Sequence, residues 1–188
     1  MRFFAPPAAL LLLTLLLLPS SFAQDSKEPG EPRIVDFEIV NDNLQVKVSF
    51  RLVGAFDDVL KRRIESGVPT SLLYRVQLLR DRKRWFDKRV FSSTLQVIAM
   101  YNAITREYLI NYKHDGDLID SRLVRDPKEL EAAMTEFESF PALTLDPEST
   151  DQRLLGRVRA ELGTSTIFFF IPTTVTTPWA DKPLTLAL

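Results

Sequence analysis

The sequence predicts a mainly β protein: an antiparallel β-sandwich or open barrel with two short capping helices. Three observations carry that expectation. Apolar residues recur at every second position over much of the chain, the period of a half-buried strand. The links between these stretches are mostly short and hold turn-forming residues. Only two stretches show helical spacing, so no strand–helix–strand rhythm repeats, which argues against a doubly wound parallel sheet.

Order begins near Ile34, with a strand over Arg33 to Val40 and a turn at Asn41-Asp42-Asn43. Leu44, Val46, Val48, Phe50 and Leu52 then alternate with polar residues, and the two strands form a hairpin. Phe56, Val59, Leu60 and Ile64 form one helical stripe, with Asp57 and Asp58 in the first turn and Lys61, Arg62 and Arg63 near the end. Gly67 and Pro69 stop this helix. Leu72, Tyr74, Val76 and Leu78 mark the next strand, which runs to about Arg80.

A charged connection, Arg80 to Arg84, leads into a long strand or bent pair over Trp85 to Tyr101, with Phe91, Leu95, Val97, Ala99 and Tyr101 on one face. Arg106 to Tyr112 follows, then the Asp115-Gly116 hairpin signal and a strand over Leu118 to Val124. Asp126-Pro127-Lys128-Glu129 has the order of an N-cap, N1 proline and N3 acid, and starts the second helix. Leu130, Ala133, Met134 and Phe137 form its buried side. Pro141 and Asp146 to Thr150 are expected in a loop. Leu154 to Leu162 alternates as a strand with one mostly polar face, and Thr166 to Ile171 is apolar enough to be central. A proline-threonine loop to Trp179 and a last strand, Leu184 to Leu188, close an arrangement of about eight strands.

Ahead of the domain lies an address signal. Arg2 is the only charge before Asp25. The apolar run Ala8 to Leu18, interrupted only by Thr14, and the small residues at Ser21 and Ala23 complete the order of a secretory signal peptide. The run is shorter than the roughly 20 residues of a membrane span. The expected division is a signal peptide at 1–23, a polar flexible linker at 24–32 and one β-rich domain at 33–188. The expected location is the periplasm or cell envelope, with membrane contact only through the leader before cleavage. An uncleaved N-terminal anchor is the alternative.

Composition narrows the chemistry. The 188 residues include no Cys and one His, which excludes disulfides, thiolate metal sites, a Cys nucleophile and a zinc site built on a His pair. Without the leader the chain keeps 23 basic against 25 acidic residues, with no basic excess for nucleic acid. Neither a glycine-rich phosphate loop nor a Gly-x-Ser-x-Gly nucleophile turn occurs, so no cofactor and no catalytic or metal-ligating residue is assigned. His114-Asp115-Gly116-Asp117 has too few acids for a calcium loop and fits a hairpin turn.

Two constellations remain as candidate sites. Arg80, Arg82, Lys83, Arg84, Lys88 and Arg89 surround Trp85, a set suited to an envelope protein or an anionic membrane surface. The same pattern also suits a solvated hairpin tip that discourages edge pairing. Tyr74, Tyr101, Tyr108, Tyr112 and Phe169 are candidates for lining an apolar cavity, although a domain of this size uses such volume to fill its core.

The run Glu65-Ser66-Gly67-Val68-Pro69-Thr70, then Leu73-Tyr74-Arg75-Val76, then Arg84-Trp85-Phe86-Asp87-Lys88-Arg89-Val90 resembles the bacterial exported family called domain of unknown function 4390. Met100 to Tyr108 fits the same pattern, with Ile104 where the pattern carries Leu. The resemblance spans about Ile34 to Trp179. It implies an exported, strand-rich bacterial protein without an assigned activity, and it transfers no catalytic residue. The leading functional expectation is a non-enzymatic module binding an envelope protein. The alternatives are a carrier or sensor of an apolar ligand held between the sheets, and a carboxylate-dependent hydrolase.

Overall fold

A computed structural model describes residues 30–80, 88–147, 153–167 and 171–186. In chain order the elements are β1 (Arg33–Asp42), β2 (Gln45–Val53), α1 (Asp58–Glu65), β3 (Thr70–Arg80), β4 (Lys88–Asn102), β5 (Glu107–His114) and β6 (Asp117–Val124). They continue with α2 (Pro127–Thr135), β7 (Glu136–Thr144), β8 (Leu154–Ile167), β9 (Ile171–Thr176), β10 (Ala180–Pro183) and β11 (Thr185–Leu186). The small sheet has the order β11-β1-β2-β7; the large one runs β10-β8-β3-β4-β5-β6, with β9 also on β8. The mainly β, antiparallel sandwich with two short helices is therefore the observed fold, and the sheets do not close into a barrel.

Alternation dictates the inner faces. Leu72, Tyr74, Val76 and Leu78 of β3 lie beside Val97, Leu95, Ser93 and Phe91 of β4, all facing the small sheet. Val46, Val48, Phe50 and Leu52 of β2 answer from the other side and are buried. Phe50, Tyr74 and Phe137 form a ring cluster, with centroids 5.0 to 5.1 Å apart, in the tilted and edge-on arrangements that aromatic quadrupoles favour. Gly156 sits where the sheets approach closely; a Cβ there would overlap Ile39. The outer face of the large sheet is polar. Arg157 donates twice to Gln77, Arg75 and Arg159 both bond Glu161, and Trp179 stacks under Arg157 and Arg159.

The tight turns follow local chemistry. Asn43 and Leu44 have φ of 51° and 70°, and Asp115 and Gly116 have 48° and 99°, the left-handed pair that a two-residue hairpin needs. Asp115 also accepts from the Thr94 amide and hydroxyl, which ties this turn to β4.

Several elements differ from the expectation. Asp57 is the N-cap of α1, accepting from the Leu60 amide at 2.7 Å, and does not belong to the first turn. Val59 is 64% exposed because a two-turn helix at the end of the sandwich buries only a narrow stripe. α2 stops at Thr135, so Phe137 reaches the core from β7.

The expected loop at Pro141 is strand β7, which pairs with β2 at the sheet edge, where a missing N–H is tolerated. Leu154 to Ile167 is one strand that bends at Gly163, whose φ is 75°. Residues 171–176, expected partly in a central strand and partly in a loop, form β9, which folds back antiparallel on β8. Finally, β11 pairs parallel to β1, an exception within a mainly antiparallel fold.

Candidate functional site

The two sheets splay apart between their edge strands β6 and β7. α2 lies in the gap, leaving an open groove of about 660 Å³. Leu95, Tyr112, Phe137 and Phe140 give it an apolar floor, and Asp120, Glu129, Glu136 and Glu138 put four carboxylates on its walls against one guanidinium, Arg122. That guanidinium lies over the Tyr112 ring, 5.1 Å from its centroid, and its Nε donates to Asp120 at 2.9 Å.

The position of α2 follows from its two ends. Asp126 accepts from the Lys128 amide at 2.7 Å, and Pro127 occupies a position whose missing N–H costs nothing. At the other end the chain turns straight into β7, so the last turn of carbonyls must find partners outside the helix. Glu136 N–H donates to the Ala132 carbonyl. Tyr112 OH donates to Ala133 O at 2.9 Å and Tyr74 OH to Met134 O at 2.6 Å. Two hydroxyls of the large sheet thus cap the helix, while Leu130 and Met134 fix it to the core.

Burial governs the titration behaviour of these tyrosines. Burial pushes Tyr74 well above the usual phenol range. Burial also raises Tyr112, with Arg122 opposing and Asp120 adding to the rise. Tyr108 is pushed up to about 12, by burial first and then by its hydrogen bond to Glu65 of α1 at 3.1 Å.

The lone histidine bridges the sheets near the groove. His114 Nε2 lies 2.9 Å from the Ala142 carbonyl and 2.8 Å from Ser93 Oγ, and its ring stands edge-on to Phe140. A carbonyl only accepts, so the proton sits on Nε2. Asp115 Oδ2 is 3.5 Å from that same nitrogen. A serine relay needs Nε2 free to take the hydroxyl proton and the acid on Nδ1. Here carbonyl, serine and acid all crowd Nε2, and Ser93 is buried, so the cluster serves to join the sheets.

The sequence-derived candidates are dispersed. Arg80 is half-buried at the end of β3, opposite Lys88, and its Nε is buried without a hydrogen-bond partner; Arg89 is exposed. Arg82, Lys83, Arg84 and Trp85 lie outside the described residues, as does Phe169. Of the tyrosines, Tyr74 stands in the core, Tyr108 leans on α1, Tyr101 stacks on Tyr108 at 4.9 Å, and Tyr112 alone reaches the groove. Ile119, Asp120, Arg122 and Phe140 were not singled out by the sequence reading. The signal for the first three was the apolar and charged character of one strand, which says nothing about its place at an edge.

Among the described residues no cluster of three His, Asp or Glu side chains could hold a metal ion. A family profile described as Domain of unknown function (DUF4390) matches residues 30–167. The chain belongs to this family. The match takes in β1 to β8, and so both walls of the groove as well as α2. Neither the curated proteins nor the solved structures provide a match.

Proposed function

We propose that this DUF4390 chain is an exported, non-enzymatic binding module that holds a protein partner of the cell envelope in the groove between β6, α2 and β7. The observation that carries this reading is the groove itself: an open apolar floor with acidic walls, placed between two sheet edges. Such a surface suits an extended segment with apolar side chains and flanking Lys or Arg. The basic hairpin around Arg80 and Arg89 offers a second contact, toward an anionic surface. Export is supported by Arg2, the apolar run to Leu18 and the small residues at Ser21 and Ala23.

A photo-crosslinking side chain placed at Glu129 or Glu138 in the expressing host tests the site. The expected result is one shared adduct from both positions and none from Val68, which is exposed beside α1. Equal adducts from Val68, or none from the groove, overturn the reading. A lipid adduct in its place would favour the carrier of an apolar ligand.

A further inference from the structure

We propose that β6 is a self-pairing edge, through which two copies of this chain join antiparallel about Ser121 to make one sheet that continues across both. The edge shares Ile119, Asp120 and Arg122 with one wall of the groove but none of its floor, and the inference stands without the proposed function.

Edges of sheets are normally blunted, because their free amides and carbonyls recruit other strands. Three of the edges described here are blunted. β7 carries Pro141 and a left-handed Ser139, β10 carries Pro183, and β11 is two residues long. β6 has eight residues and neither Pro nor Gly, among the described residues it pairs only with β5, and every residue from Asp117 to Leu123 is exposed. Leu118, Ile119 and Leu123 are 60%, 51% and 65% exposed, three of the large apolar side chains in water among the described residues.

The order of residues identifies the occupant. From Asp117 to Arg125 the chain reads acid, apolar, apolar, acid, Ser121, base, apolar, apolar, base. Reversed about Ser121, the pattern meets its own opposite charge at every charged position. In an antiparallel pair centred there, Asp120 faces Arg122 of the second copy, and the symmetric contact repeats it. Ile119 meets Leu123, and the register ends at the Ile119 bulge, short of Arg125, which donates to Glu107. A one-residue shift that centres the pair on Arg122 would oppose two guanidiniums, so charge also selects the register.

The free edge is already set for this exchange. Ser121 N–H donates to its own neighbour's carboxylate, Asp120 Oδ1, at 2.8 Å, and Arg122 Nε bonds the other oxygen of that group at 2.9 Å. Within one chain Asp120 therefore holds the groups that a second copy would take over: Ser121 N–H would go to the facing carbonyl and Asp120 to the facing guanidinium. Ile119 is an extra residue opposite the step from Tyr112 to Lys113, and this bulge keeps the regular pairing short.

Sedimentation velocity of the full-length chain and of Asp120→Arg, Arg122→Asp and the double exchange tests the inference. Wild type is expected to show a concentration-dependent dimer. Each single exchange sets like charges opposite one another twice and should weaken association by about tenfold or more. The double exchange restores opposite charges and should return association to within about threefold of wild type. A second readout uses the absence of cysteine: oxidised Ser121→Cys should give a covalent dimer, while Val68→Cys should not. Circular dichroism of each variant confirms that it has folded. A wild-type monomer at on the order of 1 mM overturns the proposal, as does a dimer that ignores both single exchanges. Loss of the groove adduct with the dimer intact would sink the proposed function alone.

Discussion

On one long side of the sandwich the sheets are joined by main chain. β10 pairs with β8 of the large sheet, Leu184 N–H donates to Leu154 O, and from the next residue β11 lies on β1 of the small sheet. On the opposite side, where β6 and β7 do not pair, side chains do the joining: Tyr112 and Tyr74 reach the end of α2, and His114 reaches Ala142. Main-chain bonds need only a strand in register, so many sequences could form the first side. The second depends on a few specific hydroxyl and imidazole groups, and it leaves a groove where a continued strand would have filled the gap.

Removing residues 180–188 should have the largest effect. It strips six register pairs from β8 and β1, which at net values of about 0.5–1 kcal/mol each amounts to about 3–6 kcal/mol. The measurement is urea unfolding, together with light scattering for association through the bared edges of β1 and β8. A loss below about 1 kcal/mol would mean that the main-chain side contributes little to joining the sheets.

Tyr74→Phe should come next, at about 1–3 kcal/mol, because it leaves the buried Met134 carbonyl without a donor. Tyr112→Phe, nearer to water, should cost about 0.5–1.5 kcal/mol. If the two substitutions together cost far more or less than their sum in a double-mutant cycle, the hydroxyls hold α2 as a coupled pair.

Alkaline pH should act most gently, and on the side-chain seam. A phenol whose folded pKa lies above its unfolded value contributes stability that is fully present below the unfolded pKa, the ordinary 10.0, and is lost as pH rises through the folded one. For Tyr108 that window runs from about 10 to about 12, and Tyr74 and Tyr112 shift in the same direction. Ultraviolet titration should show these phenols ionising late, with unfolding. Ionisation of Tyr74, Tyr108 and Tyr112 at ordinary phenol pH with the fold intact would contradict the burial on which the seam rests.

What could be read in the sequence was the inner face of each regular strand. Leu72 to Leu78 and Val46 to Leu52 alternate because one side of each ribbon is dry, and that constraint acts locally. β7 was not legible, since its left-handed Ser139 and its Pro141 break the alternation at an edge that tolerates both. The groove was legible only as fragments. Tyr74 finds Met134 sixty positions along the chain, and nothing near Tyr74 signals that partner. The charged and apolar order of β6 stands in the sequence but signals nothing by itself; its meaning came from the finding that, among the described residues, only β5 pairs with it.

The direct passage from Thr135 to Glu136 has one more consequence. With no residue between them to absorb rotation, helix and strand behave as a single bent rod. Anything that pries the helix away from the phenols must drag Phe137 out of the aromatic cluster. Widening the cleft and loosening the interior are therefore one event, and an occupant that fits without leverage leaves both untouched.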